Sequence, residues 1–179
     1  MRSLLSMALL ALSFIMGCTL PLGTEQQVPF NPTPMEVVDR MLDVAQVKES
    51  DLIYDLGSGD GRIVTRAAQR FGTRGIGIEI NRHLNARARR IAAEQGVSHL
   101  VEFRRQDALT VDVSNATVVT LYMLPEFNAR LRPVLQKQLR PGARVVSHDF
   151  GIEGWKPSRE EKIPGGMMHE HTIYLWTIE

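Results

Sequence analysis

Short apolar runs alternate with amphipathic helical stretches along most of this chain. Strands are predicted at residues 52–56, 75–80, 101–105, 117–121, 143–147 and 171–178, and helices at 62–71, 84–95 and 125–139. Strands that are separated by helices pair in parallel through right-handed crossovers. The pattern therefore predicts an α/β fold, with a doubly wound, mostly parallel sheet and helices on both of its faces.

The first 18 residues are predicted to be a targeting segment. Arg2 is followed by an uncharged, mostly apolar run at 4–16, which is shorter than the roughly 20 residues of a membrane-spanning helix and fits a signal-peptide core. The run ends in Gly17 and Cys18, which resembles a bacterial lipoprotein cleavage site and makes Cys18 a lipidation candidate. The alternative is a plain secretion signal or a short uncleaved anchor with an incidental cysteine.

Residues 19–31 are predicted to be a linker and residues 32–179 the folded domain. The linker contains proline and glycine and has no apolar periodicity. The domain is predicted to begin with an amphipathic helix that ends near residue 44. Thr33 and Glu36 match a capping box, in which the Thr33 hydroxyl accepts a hydrogen bond from the Glu36 amide and Pro34 takes the first helical position.

Charge is nearly balanced, with a formal net charge of +1 over 179 residues. This balance gives no support for a partner that is recruited by bulk charge, so nucleic acid is not predicted. Arginines concentrate around the second crossover helix, but almost no aromatic residues accompany them, and a solvated helix face is the interpretation. These arginines are Arg82, Arg87, Arg89, Arg90, Arg104 and Arg105.

Cysteine and histidine spacing gives no metal or disulfide signature. The single cysteine excludes an intrachain disulfide. His169 and His171 would share one face of a strand, but no third ligand is evident beside them. No metal site is predicted, and the domain is expected to be a monomer.

The stretch DLGSGDGR, residues 55–62, follows the first strand and opens the first crossover helix. In this fold, ligands bind beyond the carboxyl ends of the strands. Gly57 and Gly59 permit a tight turn against which a ligand can lie, and Ser58 is included among the predicted contacts. The spacing is neither the GxGxxG dinucleotide fingerprint nor a P-loop. Asp55 would repel a pyrophosphate, so the predicted ligand carries positive charge or at least no phosphate.

S-Adenosylmethionine meets these requirements, since it has a sulfonium, an ammonium and a ribose but no phosphate. Glu79 closes the second strand, near the offset of about 20 residues at which an acid holds ribose hydroxyls in such folds. Asp107 follows the third strand and could accept a hydrogen bond from the adenine amino group. Asp55, Glu79 and Asp107 thus lie at successive strand ends on one rim, which predicts a cofactor site.

The chain resembles the class I methyltransferases related to the mitochondrial ATP synthase c-subunit lysine methyltransferase and its bacterial counterparts, which have a Rossmann-like sheet. The similarity covers about residue 29 to the C-terminus and rests on DLGSGDGR, GIGIE, VVTLYMLP at 118–125, RVVSHDF at 144–150 and WKP at 155–157. It implies methyl transfer from S-adenosylmethionine, with a protein lysine as a possible acceptor. It also implies cofactor contacts at Asp55, Gly57, Gly59, Glu79 and Asp107.

Acceptor-site candidates are predicted on the same rim. Tyr122 follows the fourth strand, where class I enzymes place acceptor residues, and is the candidate catalytic residue; a core tyrosine is the alternative. Pro32 and Thr33 are expected to approach the methyl end of the cofactor. His148 and Asp149 follow the fifth strand and could orient the acceptor, or could fix the loop instead.

Two functions and two locations remain open at this level. The first function is an active methyltransferase, and the second is a membrane-tethered binding module that keeps the fold without catalysis. The leader predicts a membrane-associated or exported protein; the alternative is an anchored domain that faces the cytoplasm, where the cofactor is made. The methyl acceptor itself is not identified by the sequence.

Overall fold

The computed structural model describes residues 30–164 and 170–179. The leader with Cys18, most of the predicted linker and His169 lie outside the described residues. The helices are α1 (Met35–Val44), α2 (Arg62–Phe71), α3 (Arg82–Glu94) and α4 (Pro125–Gln138). The strands are β1 (Leu52–Leu56), β2 (Arg74–Ile78), β3 (Val101–Arg104), β4 (Val118–Leu121), β5 (Arg144–His148), β6 (Arg159–Ile163) and β7 (His171–Thr177).

The described strands form one seven-stranded sheet in the order β3-β2-β1-β4-β5-β7-β6. Strands β1 to β5 pair in parallel, and β7 runs antiparallel to both β5 and β6. The strand order reverses between β1 and β4, where the loops that follow the two strands diverge and leave room for a ligand. The predicted doubly wound, mostly parallel α/β sheet is confirmed.

Helices cover both faces of the sheet because the buried strands carry apolar residues on both sides. The α1, α2 and α3 side is packed with the cluster that includes Val38, Met41 and Val64. The other side is packed with the cluster that includes Leu131 and Leu135 of α4. Two separate cores therefore hold the strand ends in fixed positions.

The capping box predicted for α1 is wrong. The N-cap residue is Pro34, and no side chain caps the helix. Thr33 is buried instead, and its Oγ1 lies 3.1 Å from His148 Nδ1. A tertiary partner at the end of β5 therefore takes the hydroxyl that the local pattern assigned to the Glu36 amide.

Strand β6 is not predicted from the sequence, because its residues REEKI lack an apolar face. It is the outer strand of the antiparallel edge, where charged side chains are usual. An ion pair between Arg40 and Glu161 joins it to α1. Within residues 30–164 and 170–179, no helix has the length and apolar character needed to cross a bilayer.

Candidate active site

A cavity of about 560 Å³ opens at the carboxyl ends of the central strands. The β1–α2 loop forms part of its lining, as does the segment 30–33 that precedes α1. The predicted acids Asp55, Glu79 and Asp107 all line this cavity, although they are far apart in the sequence. The predicted site residues that line the cavity are Pro32, Thr33, Asp55, Gly57, Ser58, Gly59, Glu79, Asp107 and Tyr122.

The glycine loop has the backbone that its sequence predicts. Gly57 and Gly59 have φ angles of +80° and +54°, a region that side-chain-bearing residues rarely adopt. The Gly57 N–H donates to the Ile78 carbonyl at 2.9 Å, which ties the loop to the end of β2. A Cβ at Gly57 would collide with Met123 and one at Gly59 with Phe30, and both of those residues line the cavity. Bare backbone is therefore required here.

Close packing under the loop involves glycines that the sequence argument did not assign. A Cβ at Gly77 of β2 would lie 2.7 Å from Ser58 Oγ, so this strand position needs glycine. A Cβ at Gly61 would lie 2.8 Å from Ala88 Cβ, so the third loop glycine serves helix packing. Glycine inside a strand marks such close approach, and the GIG run of β2 was the available signal.

Glu79 lies directly after β2 and holds the loop in place. Its Oε2 accepts a hydrogen bond from the Gly59 amide at 2.9 Å, and its Oε1 accepts one from the Asn81 amide at 2.8 Å. A carboxylate has about four lone-pair sites, so each oxygen can accept a further bond. Glu79 can therefore fix the loop and bind a hydroxyl-bearing ligand at the same time.

Asp55 is buried next to the end of β1, and only 2% of it is exposed. Burial raises its pKa to about 7; the hydrogen bond from Thr120 Oγ1, at 2.6 Å, opposes the shift, and the charges of Glu79 and Asp60 add to it. A carboxyl group held in this state favours a cationic ligand, because a nearby positive charge restores its ionised form.

Asp107 is exposed at the edge of the cavity, a short way past the end of β3. Its Oδ1 accepts a hydrogen bond from the Leu109 amide at 2.9 Å, which fixes the side chain in a local turn. Ile80, which follows β2, and Leu84 of α3 also line the cavity, and Ile80 is 47% exposed. An acceptor at the edge and an adjacent apolar surface suit a purine ring.

Asp60 and Arg62 are site residues that the sequence argument missed. The Arg62 guanidinium donates to both Asp60 oxygens at 2.9 and 2.8 Å and to the Thr33 carbonyl at 2.9 Å. Burial raises the pKa of Asp60, but the hydrogen bonds and charge of Arg62 and the charge of Arg87 outweigh it, so the net shift is downward. The pair therefore ties the segment before α1 to the glycine loop.

Tyr122 lies directly after β4, with its hydroxyl 3.1 Å from Asn31 Nδ2, which donates to it. Its ring centroid is 4.0 Å from that of His148 and 5.9 Å from that of Phe150. Burial and the charge of Asp149 raise the pKa of Tyr122 above the ordinary value, although the Asn31 bond opposes the shift. Tyr122 is therefore a neutral phenol that can hydrogen-bond an acceptor group, and it is unsuited to act as a base.

His148 and Asp149 lie behind the cavity wall and are not among the described residues that line it. His148 is the last residue of β5 rather than part of the following loop, and it is fully buried. Its ring packs on Tyr122 and bonds Thr33, so it touches two lining residues without facing the cavity. Any influence on an acceptor passes through those two side chains.

The residues present fit S-adenosylmethionine. The loop is a cradle that a Cβ at Gly57 or Gly59 would fill, and the Ser58 hydroxyl is a buried polar group without a hydrogen-bond partner in the described part of the chain. Glu79 would hold the ribose hydroxyls, Asp107 the adenine amino group and Asp55 the cationic portion. Among the described lining residues the one arginine, Arg62, is paired with Asp60, so they offer a phosphate group no free cation.

Comparisons with known proteins agree with this geometry. Residues 55–159 match the ANTKMT methyltransferase domain. A protein-lysine N-methyltransferase of Saccharolobus islandicus is 44% identical over 152 residues, 84% of this chain and 94% of that protein. The adenine nucleotide translocase lysine N-methyltransferase of Mus musculus is 36% identical over 132 residues, which are 73% of this chain and 57% of the mouse protein.

A solved structure of a methyltransferase is also similar to this chain. The RNA methyltransferase of Salinibacter ruber, in complex with S-adenosyl-L-homocysteine, is 55% identical with a TM-score of 0.79. The match covers 83% of this chain and 94% of that one. Nothing in these comparisons supports the non-enzymatic alternative. The chain belongs to the ANTKMT methyltransferase family and is an S-adenosylmethionine-dependent methyltransferase.

Proposed function

We propose that this enzyme methylates the ε-amine of protein lysines. The observation that carries the proposal is the composition of the cavity near Tyr122. Asn31 and Phe150 contact Tyr122, and Phe127 lines the same cavity. The one cation of the described lining, Arg62, is engaged by Asp60. Aromatic rings suit the aliphatic stem and the charged head of lysine, whereas an RNA acceptor needs cations for its phosphates.

The named relatives point to different acceptors. The Saccharolobus protein and the mouse protein are lysine methyltransferases by name, and the Salinibacter protein is an RNA methyltransferase by name. The charge of the cavity favours the first class for this chain, since its lining contributes four carboxylates against one arginine. This balance attracts an ammonium group and repels a phosphate backbone.

The chemistry asks the protein chiefly to hold two reactants in line. S-Adenosylmethionine supplies an electrophilic methyl group when bound. The glycine loop and Glu79 fix one side of the site, and Tyr122 with Asn31 offers hydrogen bonds that aim the lysine nitrogen. The lysine that is attracted as an ammonium must lose its proton before it can react, because only the neutral amine is nucleophilic. The apolar wall around Phe150 promotes this loss to solvent, since burial penalises a charged ammonium.

The acceptor is tested by supplying labelled S-adenosylmethionine with one of three substrates. These are an unfolded lysine-rich protein, the same protein with its lysines acetylated, and total cellular RNA. We expect methyllysine in the first by mass spectrometry, and no label in the other two. Label in RNA alone would contradict the proposal.

A pair of variants controls for contaminating activity. Glu79→Ala removes a residue that holds the loop and is expected to reduce the lysine signal strongly when S-adenosylmethionine is limiting. Glu94→Ala alters an exposed glutamate at the end of α3, paired with Arg90, and is expected to retain it. Equal activity of the two variants would assign the signal to another enzyme in the preparation.

We also infer that the leader at residues 1–18 attaches the domain to a membrane and directs it across. The uncharged run after Arg2 and Cys18 at its end support the inference. Lipidated Cys18 would keep the domain close to the bilayer through residues 19–31. Protein lysines of the same compartment would then be its substrates.

A further inference from the structure

Three metal-ligating side chains converge behind the active-site wall. His148 Nε2 lies 2.9 Å from His171 Nδ1 and 3.2 Å from Asp149 Oδ2. His171 Nδ1 lies 3.3 Å from the same oxygen. The three atoms therefore form a nearly equilateral triangle, and the two histidines come from opposite ends of a long connection between β5 and β7.

This triangle has the dimensions of a metal-binding face. Zinc binds imidazole nitrogen and carboxylate oxygen at about 2.0–2.2 Å. Ligand atoms around one tetrahedral or octahedral ion are then separated by roughly 3.0–3.5 Å. The observed separations of 2.9 to 3.3 Å lie at or close to that range. We propose that His148, Asp149 and His171 bind one divalent transition-metal ion, for which zinc is the probe.

Outer hydrogen bonds fix two of the three ligands in the required state. Thr33 Oγ1 lies 3.1 Å from His148 Nδ1 and can accept a hydrogen bond from the Nδ1–H group. This tautomer keeps the proton on Nδ1 and leaves Nε2 unprotonated toward the ion. Asp149 Oδ1 accepts a hydrogen bond from the Thr172 amide at 2.9 Å, while Oδ2 faces the two histidine nitrogens. Outer partners of this kind are typical of metal sites.

The burial of the three side chains is also typical of a metal site. The side chain of His148 is fully buried, and those of Asp149 and His171 are 11% and 13% exposed. Bulk water is thus largely excluded, while the acid compensates part of the charge of a dication. The absence of a third ligand was the ground for predicting no metal beside His171, and the fold removes that ground.

The bound ion would have a structural role. It joins the end of β5 to the start of β7 and, through His148, supports Thr33 and the Tyr122 ring. These three ligands come from the described residues, and a tetrahedral ion takes a fourth group besides them. The site is separate from the predicted cofactor contacts, so metal binding and cofactor binding can be measured independently.

The first test uses the full-length protein, purified in detergent with a tag that lacks histidine. After growth with zinc and dialysis against metal-free buffer, elemental analysis is expected to find one zinc per chain. X-ray absorption is expected to show nitrogen and oxygen ligands, including imidazole, and no sulfur. Substoichiometric zinc, or a sulfur ligand from Cys18, would overturn the assignment.

Variants locate the ion. His171→Ala and Asp149→Asn are expected to lose the zinc, whereas His99→Ala, an exposed histidine far from the cluster in the sequence, retains it. Thr33→Val removes only an outer partner and is expected to weaken zinc binding about 10- to 100-fold. S-Adenosylmethionine binding shows that the His171→Ala, Asp149→Asn and His99→Ala proteins are folded. Circular dichroism serves this purpose for Thr33→Val, because Thr33 lines the cofactor cavity.

Zinc occupancy in the variants can also contradict the proposal. Full zinc occupancy in folded His171→Ala protein places the ion elsewhere and overturns the proposal. If His171→Ala does not fold, Asp149→Asn decides in its place: full zinc occupancy in folded Asp149→Asn protein also overturns the proposal. A thermal midpoint that rises with added zinc in wild type and His99→Ala, but not in Asp149→Asn, supports the structural role.

Discussion

Single carboxylates determine how the site responds to its ligand. Asp55 and Glu79 both line the cavity, yet they differ in their partners. Asp55 has a hydroxyl donor in Thr120 and no backbone amide among its described bonds, whereas Glu79 accepts from two amides. The ionisation of Asp55 is therefore sensitive to charge in the cavity, whereas Glu79 stabilises the conformation of the loop.

Asp55 is expected to make the free energy of unfolding depend on pH. Its pKa is about 7 in the folded protein and about 4 in an unfolded chain. A raised folded-state pKa gives stability that is fully present below the unfolded value and is lost as pH rises through the folded one, by at most about 1.4 kcal/mol per pH unit. Asp55→Asn should therefore gain stability relative to wild type between pH 5 and pH 8.

Chemical denaturation of both proteins without cofactor at the two pH values measures this effect. The affinity for S-adenosylmethionine should change in the opposite sense, becoming tighter in wild type as Asp55 ionises and showing no such gain in Asp55→Asn. An identical stability difference at pH 5 and pH 8 would show that Asp55 does not titrate in this window.

Glu79→Ala should weaken cofactor binding by about 1.5–3 kcal/mol, the range for a hydrogen bond to a charged group. It should also lower the stability of the ligand-free protein, because the Gly59 and Asn81 amides lose their acceptor. Calorimetric titration and thermal unfolding measure the two effects. Glu79→Gln keeps one acceptor oxygen, so its cofactor affinity and its stability should lie between those of wild type and Glu79→Ala. Unchanged affinity in both variants would remove Glu79 from the cofactor site.

At the scale of elements, local patterns were sufficient for the central sheet and insufficient at its edge. Apolar periodicity predicts β1 to β5 and the crossover helices. Strands β1, β2, β4 and β5 are almost wholly buried, β3 is buried at Phe103, and each helix buries one apolar face. The same periodicity does not predict β6, whose charged residues pair only through their backbone with β7. Likewise, Thr33 matches a capping box locally, and only the folded chain brings His148 to its hydroxyl.

The site shows the same division between local and tertiary information. Chain order places Asp55, Glu79 and Asp107 at neighbouring strand ends, so their meeting was predictable. The role of the Asp60–Arg62 pair was not predictable, because Arg62 also donates to the Thr33 carbonyl, and that carbonyl approaches from a segment outside the glycine loop. The meeting of His148 with His171 depends on the antiparallel pairing of β5 and β7, which no local pattern encodes.

Arg62 connects two elements, so its loss should affect both. Arg62→Met leaves buried Asp60 without its main partner and should cost about 1.5–3 kcal/mol of unfolding free energy. It should also raise the KM for the acceptor, because the Thr33 carbonyl loses its donor. The double variant Arg62→Met, Asp60→Asn should recover part of the stability. Additive losses in denaturant titrations would show that the two side chains are not coupled.

At the scale of the whole molecule, the proposed leader and the catalytic domain point to opposite sides of the membrane. An exported domain lies away from the cytoplasm, where S-adenosylmethionine is made. Positive charge favours export nevertheless: Arg2 precedes the apolar run, and the next basic residue is Arg40. Short segments rich in lysine and arginine stay in the cytoplasm, so the N-terminus should remain there and the domain should cross.

Fusions after Glu179 decide the orientation. Alkaline phosphatase, which is active only after export, should be active, and a cytoplasmic reporter at the same position should be silent. Cys18→Ser should leave the orientation unchanged but release the domain from the membrane fraction and abolish labelling by a fatty acid, because the proposed lipidation would be the anchor. The reverse reporter pattern would place the domain in the cytoplasm, beside its cofactor, with the leader acting as an anchor that is not translocated.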